Sequence, residues 1–107
     1  MSFADNLKAL PSVAHLAAID LVDVTDGAGQ VCARIENKPG QAGSLAVYAA
    51  LAAKHGSINA VAAEEGLAMY AEHTDDARAH PGKHPNIDRL IEIASTGRAL
   101  IVRTVAA

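Results

Sequence analysis

Between Tyr70 and Arg89 the chain reads YAEHTDDARAHPGKHPNIDR, a stretch that gathers three of the five histidines and two adjacent aspartates. On a helix, His73, Asp76 and His80 stand at i, i+3 and i+7 and share one face about two turns long. His84 follows across a Pro-Gly turn, from which it can fold back toward His80. Imidazoles grouped with a carboxylate are a ligand set for Zn²⁺ or Fe²⁺ with one position left open. The same groups suit acid–base chemistry without a metal, because histidine titrates near neutral pH and Asp76 can orient His80. Ordinary helix chemistry accounts for them as well. Asp76 before His80 is an i, i+4 pair, a histidine complements a helix C-terminus, and HPGKHP is a sequence in which one helix stops and another starts. Neither HExxH nor paired CxxC spacing is present to select among these readings. Three expectations follow: a divalent metal held by His73, Asp76, His80 and His84, an acid–base site on Asp76, His80 and His84, or a structural helix end.

A second segment with chemical potential is NKPGQAGS, from Asn37 to Ser44, which runs from a strand into a helix. The exposed N–H groups of a helix start, the macrodipole and the Lys38 ammonium together suit a phosphate or a carboxylate. Asn37, Lys38, Gly40, Gly43 and Ser44 are the candidate contacts. The Gly-Lys-Ser/Thr ending of a Walker A loop is missing. A tight turn with Ser44 as helix cap explains the same residues without a ligand.

The elements that must position these segments are legible from periodicity. Ser2 caps a short helix bearing Phe3, Leu7 and Leu10, which Pro11 stops. Alternation from Leu16 to Val24 and from Gln30 to Glu36, separated by TDGAG, describes a hairpin. In its second strand Val31, Ala33 and Ile35 are expected on one side, and Cys32, Arg34 and Glu36 on the other. His15 begins the first strand. A helix then carries Leu45, Tyr48 and Leu51 to Gly56, and Ser57 opens a helical segment with a break or kink at Gly66. Pro85 and Asn86 start a helix with Ile87, Leu90 and Ile91 on one face, and Leu100 to Val105 alternates as a closing strand. The order α-β-β-α-α-α-β implies an α+β fold: about four helices on a small, mostly antiparallel three-stranded sheet.

With 107 residues, the chain is expected to form one domain over residues 1–107. Aromatics make up 3% and tryptophan is missing, whereas alanine occurs 24 times. Small side chains bury little apolar area each, so a homodimer is the expected way to thicken the core. A net charge of −3 and nine scattered basic residues speak against nucleic acid as a partner. The sequence has neither a bilayer-length apolar run nor a signal-peptide pattern, and its single Cys32 fits a reducing cytoplasm.

Residues 31–59, VCARIENKPGQAGSLAVYAALAAKHGSIN, resemble the first strand and helix of an ACT domain, with ENKPG as the turn. The resemblance implies an amino acid or other small effector bound at Asn37, Pro39 and Gly40, often across a dimer interface. Over its whole length the chain resembles a small uncharacterised bacterial protein family, through NKPGQAGSLAVY and GLAMYAEHTDDARAHPGKHPNIDRL. That resemblance implies a stand-alone bacterial domain and carries no activity. The combined expectation is a cytoplasmic protein that binds a small molecule or a protein partner. A metal-dependent or acid–base enzyme and a structural partner subunit are the alternatives.

Overall fold

Alternating apolar residues become a sheet when one face can be covered, and here the covering is done by α-helix. The computed structural model describes residues 2–8, 19–38 and 40–106. The expectations for Leu10, Pro11, His15, residues 16–18 and Pro39 lie outside the described residues. In chain order the elements are α1 (Phe3–Lys8), β1 (Ile19–Thr25), β2 (Val31–Glu36), α2 (Ala42–His55), α3 (Ala60–Tyr70), α4 (Glu72–Ala79), α5 (Pro85–Thr96) and β3 (Ile101–Ala106). The sheet is antiparallel with the order β2-β1-β3, so the architecture is α+β as expected.

The β1–β2 hairpin closes because Asp26 organises its own turn. Its carboxylate accepts the N–H groups of Ala28 at 2.9 Å and Gln30 at 3.0 Å, and Gly29 supplies the positive φ of 84°. A bulge follows: Val24 faces Ala33, whereas Thr25 faces Val31. The extra residue moves Val31 to the outer side of the sheet, where it is 48% exposed, so it does not share a face with Ala33 and Ile35 as alternation implied. Val22, Val24 and Ile35 point inward and are buried in one core cluster with Leu45, Tyr48 and Leu51 of α2. On the outer side Asp23 pairs with Arg34 and stands opposite both Arg34 and Arg103.

The segment after Gly56 divides into two helices, and the break falls at Ala71, with φ 50° and ψ −115°. Gly66 lies inside α3 and does not break it. A Cβ at Gly66 would meet Leu90 Cδ1 at 2.7 Å and Leu51 Cδ1 at 2.8 Å, so this glycine lets α3 approach both α5 and α2. Helix α3 is capped by Asn59, which accepts the Ala62 N–H at 2.8 Å. Among the described residues, Asn6 of α1 donates to the Met69 carbonyl at 2.8 Å, and the Phe3 N–H donates to Glu72 at 2.7 Å, which fastens the helix to α3 and α4. Among the described residues no helix is long and apolar enough to cross a membrane.

Candidate functional site

Helix α2 begins beside the turn that ends β2, and α5 begins beside the turn that ends α4. The fold brings these two helix starts together beside β2, which among the described residues pairs only with β1. Between them lies an open cleft of about 690 Å³. Its walls come from Ala33 and Arg34 of β2, Gly40 to Ser44 at the start of α2, and Lys83 to Ile87 with Arg89 at the start of α5. Phe3, Tyr70 and His73 close one side. The two segments singled out from the sequence, some 40 residues apart, are therefore opposite walls of one cleft.

The start of α2 has no side-chain cap. Ser44, expected to cap, sits one turn in and accepts the Tyr70 hydroxyl at 2.7 Å. The residue at the cap position, Gln41, spends its amide oxygen on the Glu36 N–H at 3.0 Å, which ties the turn back to β2. Tyr70 is almost fully buried, and desolvation pushes its hydroxyl well above the ordinary tyrosine range. It stacks on Phe3 with ring centres 4.9 Å apart.

The opposite wall is organised by Asp76. Its carboxylate receives His84 Nε2 at 2.6 Å and Lys83 Nζ at 3.1 Å, and His80 lies 3.9 Å away. Hydrogen bonds from His84 first and Lys83 second hold the Asp76 carboxyl down at about 2. His84 thus folds back to Asp76 and not to His80, whose side chain is 63% exposed and outside the cleft. His73 does reach the cleft, edge-on to Phe3 at 5.1 Å and with its ring centre 6.0 Å from that of His84. Among the described residues, no three His, Cys, Asp or Glu side chains form a group able to hold a metal ion.

Lys38 and Asn37 stand to the side of the cleft. Lys38 pairs with Glu36 at 2.8 Å, and the Asn37 N–H donates to the Asp20 carbonyl at 2.8 Å. Gly40, Gly43 and Ser44 line it, as expected of the loop. Three cations of the wall, Arg34, Lys83 and Arg89, were not singled out by sequence reasoning. Arg34 is held by Asp23 at 2.8 Å. Arg89 is held by neutral oxygens, donating to the Tyr48 hydroxyl and to Asn86 Oδ1, both at 3.0 Å. Among the described residues no carboxylate pairs with it. A sequence signal did exist for Arg89: Asn86 and Arg89 are i and i+3 at the start of a helix, where a cation is out of place for the macrodipole and so calls for another reason.

A two-layer α+β domain with a basic cleft between two helix starts is the class that fold and site define. The chain belongs to the bacterial family described as "Uncharacterized protein conserved in bacteria (DUF2322)", whose model matches residues 3–104. No curated protein and no solved structure shows significant similarity to the chain. The resemblance of residues 31–59 to an ACT domain is not supported, since no hairpin follows α2 and the residues there form α3 and α4.

Proposed function

We propose that this protein binds a small anionic ligand, carrying carboxylate or phosphate groups, in the cleft between β2, α2 and α5. One observation carries the reading: the cleft is lined by Arg34, Lys83, Arg89, His73 and His84, and by no aspartate or glutamate among the described residues. Arg34 pairs with Asp23, and Lys83 and His84 with Asp76, but neither carboxylate lines the cleft, so in a chain whose net charge is −3 its lining is basic and suits an anion. Arg89 supports it further, since a half-buried guanidinium held only by neutral oxygens keeps its attraction for an incoming carboxylate or phosphate.

The test is an amide NMR titration with inorganic phosphate, citrate and glutamate, on the wild type and on Arg89→Gln. Shifts confined to Gly43, Ser44, His84 and Asn86, weakened about tenfold or more in the variant, are expected. Titrations that leave these amides unmoved for every anion refute the reading.

One geometry favours a second reading, acid–base catalysis on the bound anion. Asp76 fixes His84 through Nε2 at 2.6 Å, which leaves Nδ1 as the free ring nitrogen of an imidazole lining the cleft. Incorporation of solvent deuterium into a bound carboxylic acid, lost in His84→Gln, is its signature. A ligand that binds and never exchanges argues for binding alone.

A further inference from the structure

The chain has one phenylalanine, two tyrosines and no tryptophan, and all three rings gather at the cleft. Phe3 and Tyr70 line it, and Tyr48 lies against Arg89 of its wall. Both tyrosines are buried in the core, where phenylalanine packs as well and leaves no hydroxyl to satisfy. Each hydroxyl ends on a polar side chain of the cleft instead. Tyr48 meets Arg89 at 3.0 Å and Tyr70 meets Ser44 at 2.7 Å. The buried hydroxyls therefore support two cleft residues on opposite walls, Ser44 near the start of α2 and Arg89 on α5.

Proton accounting shows what each support leaves open. The Tyr48 proton goes to the Asn86 carbonyl at 2.6 Å, so its oxygen can accept from Arg89. Both protons of Arg89 Nη1 are spent, one on that oxygen and one on Asn86 Oδ1. Nε and Nη2 make no bond among the described residues, and together they form the planar edge that takes both oxygens of a carboxylate. The other cationic groups bonded in this wall already face a carboxylate: Arg34 that of Asp23, Lys83 and His84 that of Asp76. At Ser44 the roles run the other way. Tyr70 donates and Ser44 Oγ accepts, which leaves the Ser44 proton to donate in its turn.

We propose that Arg89 and Ser44 are the specificity-determining contacts of the cleft, and that its ligand is a small dicarboxylate held across it. One carboxylate lies on the Nε–Nη2 edge of Arg89 and the other accepts from the Ser44 hydroxyl. The carbon chain between them runs along Phe3 and Ala33, apolar members of the lining. Inorganic phosphate carries all its oxygens on one atom and meets one wall only, whereas two donors on opposite walls call for an acceptor at each end. Tyr48 and Tyr70 are positioning residues that act through Arg89 and Ser44. The proposal rests on the anion reading of the cleft and names the class of anion.

The experiment is calorimetric titration of the intact protein with malonate, succinate and glutarate, with butanoate as the chain bearing a single carboxylate, and with inorganic phosphate. The best dicarboxylate is expected to bind about tenfold tighter than butanoate or phosphate. Ser44→Ala and Tyr70→Phe are expected to bring it down to the butanoate level, while butanoate, held by Arg89 alone, changes little. A purely structural defect weakens both ligands alike. Arg89→Lys keeps the charge and loses the fork, so both carboxylate classes are expected to weaken about tenfold. Equal affinity for butanoate and every dicarboxylate overturns the two-point grip, as does a Ser44→Ala variant that loses both alike. Binding of phosphate alone also overturns it and leaves the anion reading intact. If no anion binds, both fall together.

Discussion

Arg89 donates from Nη1 to the Tyr48 hydroxyl at 3.0 Å, with its guanidinium carbon 5.7 Å from the centre of the Tyr48 ring. The hydroxyl in turn donates to the Asn86 carbonyl at 2.6 Å, and Nη1 also reaches Asn86 Oδ1 at 3.0 Å. Burial pushes the Tyr48 hydroxyl up, against the opposing pull of Arg89, so it stays a neutral donor and acceptor. A tyrosine wholly inside the core therefore sets where a cation of the cleft stands.

Tyr48→Phe keeps the ring and deletes this junction. The Asn86 carbonyl loses its donor and Arg89 loses one of its two acceptors. We expect a loss of about 1–2 kcal/mol in urea denaturation together with weaker citrate binding. A variant with reduced stability and unchanged affinity refutes the positioning role of Tyr48.

Asp76 gives a prediction in pH. Its carboxyl falls from the ordinary 3.8 to about 2 on folding, under the hydrogen bonds of His84 and Lys83. A depressed carboxylate adds stability that is complete above its unfolded value and disappears as pH falls through its folded value. The stability gap between wild type and Asp76→Asn should therefore shrink as pH drops from 3.8 toward about 2. Urea midpoints across that window read it, and a gap independent of pH means the carboxylate is not engaged.

At Gly66 any side chain must displace Leu90 and Leu51, both fully buried. Gly66→Ala gains about 1 kcal/mol of helix propensity and meets an overpacking cost of about 1–3 kcal/mol. Net destabilisation is expected, and Gly66→Val should be worse than Gly66→Ala. Thermal melts in which both variants match the wild type rule out close approach of α3 to its neighbours.

Ala71 holds φ at 50° between α3 and α4, a conformation that carries a steric penalty for every residue with a Cβ. Ala71→Gly relieves it. A gain of about 1 kcal/mol is expected, with citrate affinity unchanged because α4 keeps its direction. A lower melting temperature would show that the left-handed position is not populated.

Local order was open to the sequence. Alternation in the β1–β2 hairpin, the Asp26 turn, the Ser2 and Gly56 helix boundaries and the buried stripe of Leu45, Tyr48 and Leu51 each arise from contacts within a few residues. So does the clustering of His73, Asp76 and His84, although helical spacing paired Asp76 with His80, while the turn at Pro81-Gly82 delivers His84 to it at the shorter distance. The break at Ala71 carried no local signal, since alanine is the strongest helix former. Gly66 looked like the break because a glycine lowers helix propensity, whereas its purpose is space between helices that are distant in sequence.

What the sequence determined by itself was the three strands, all helices but the division at Ala71, their order and the two segments rich in chemical groups. Tertiary structure alone decided that those segments face each other and that Arg34 and Arg89 join them. The physical reason is one of range. Periodicity and caps are properties of neighbouring residues, but the charge of a cleft is a sum over side chains brought together from β2, α2, α4 and α5. Only the packing of helices through Gly66 and Leu90 fixes that sum.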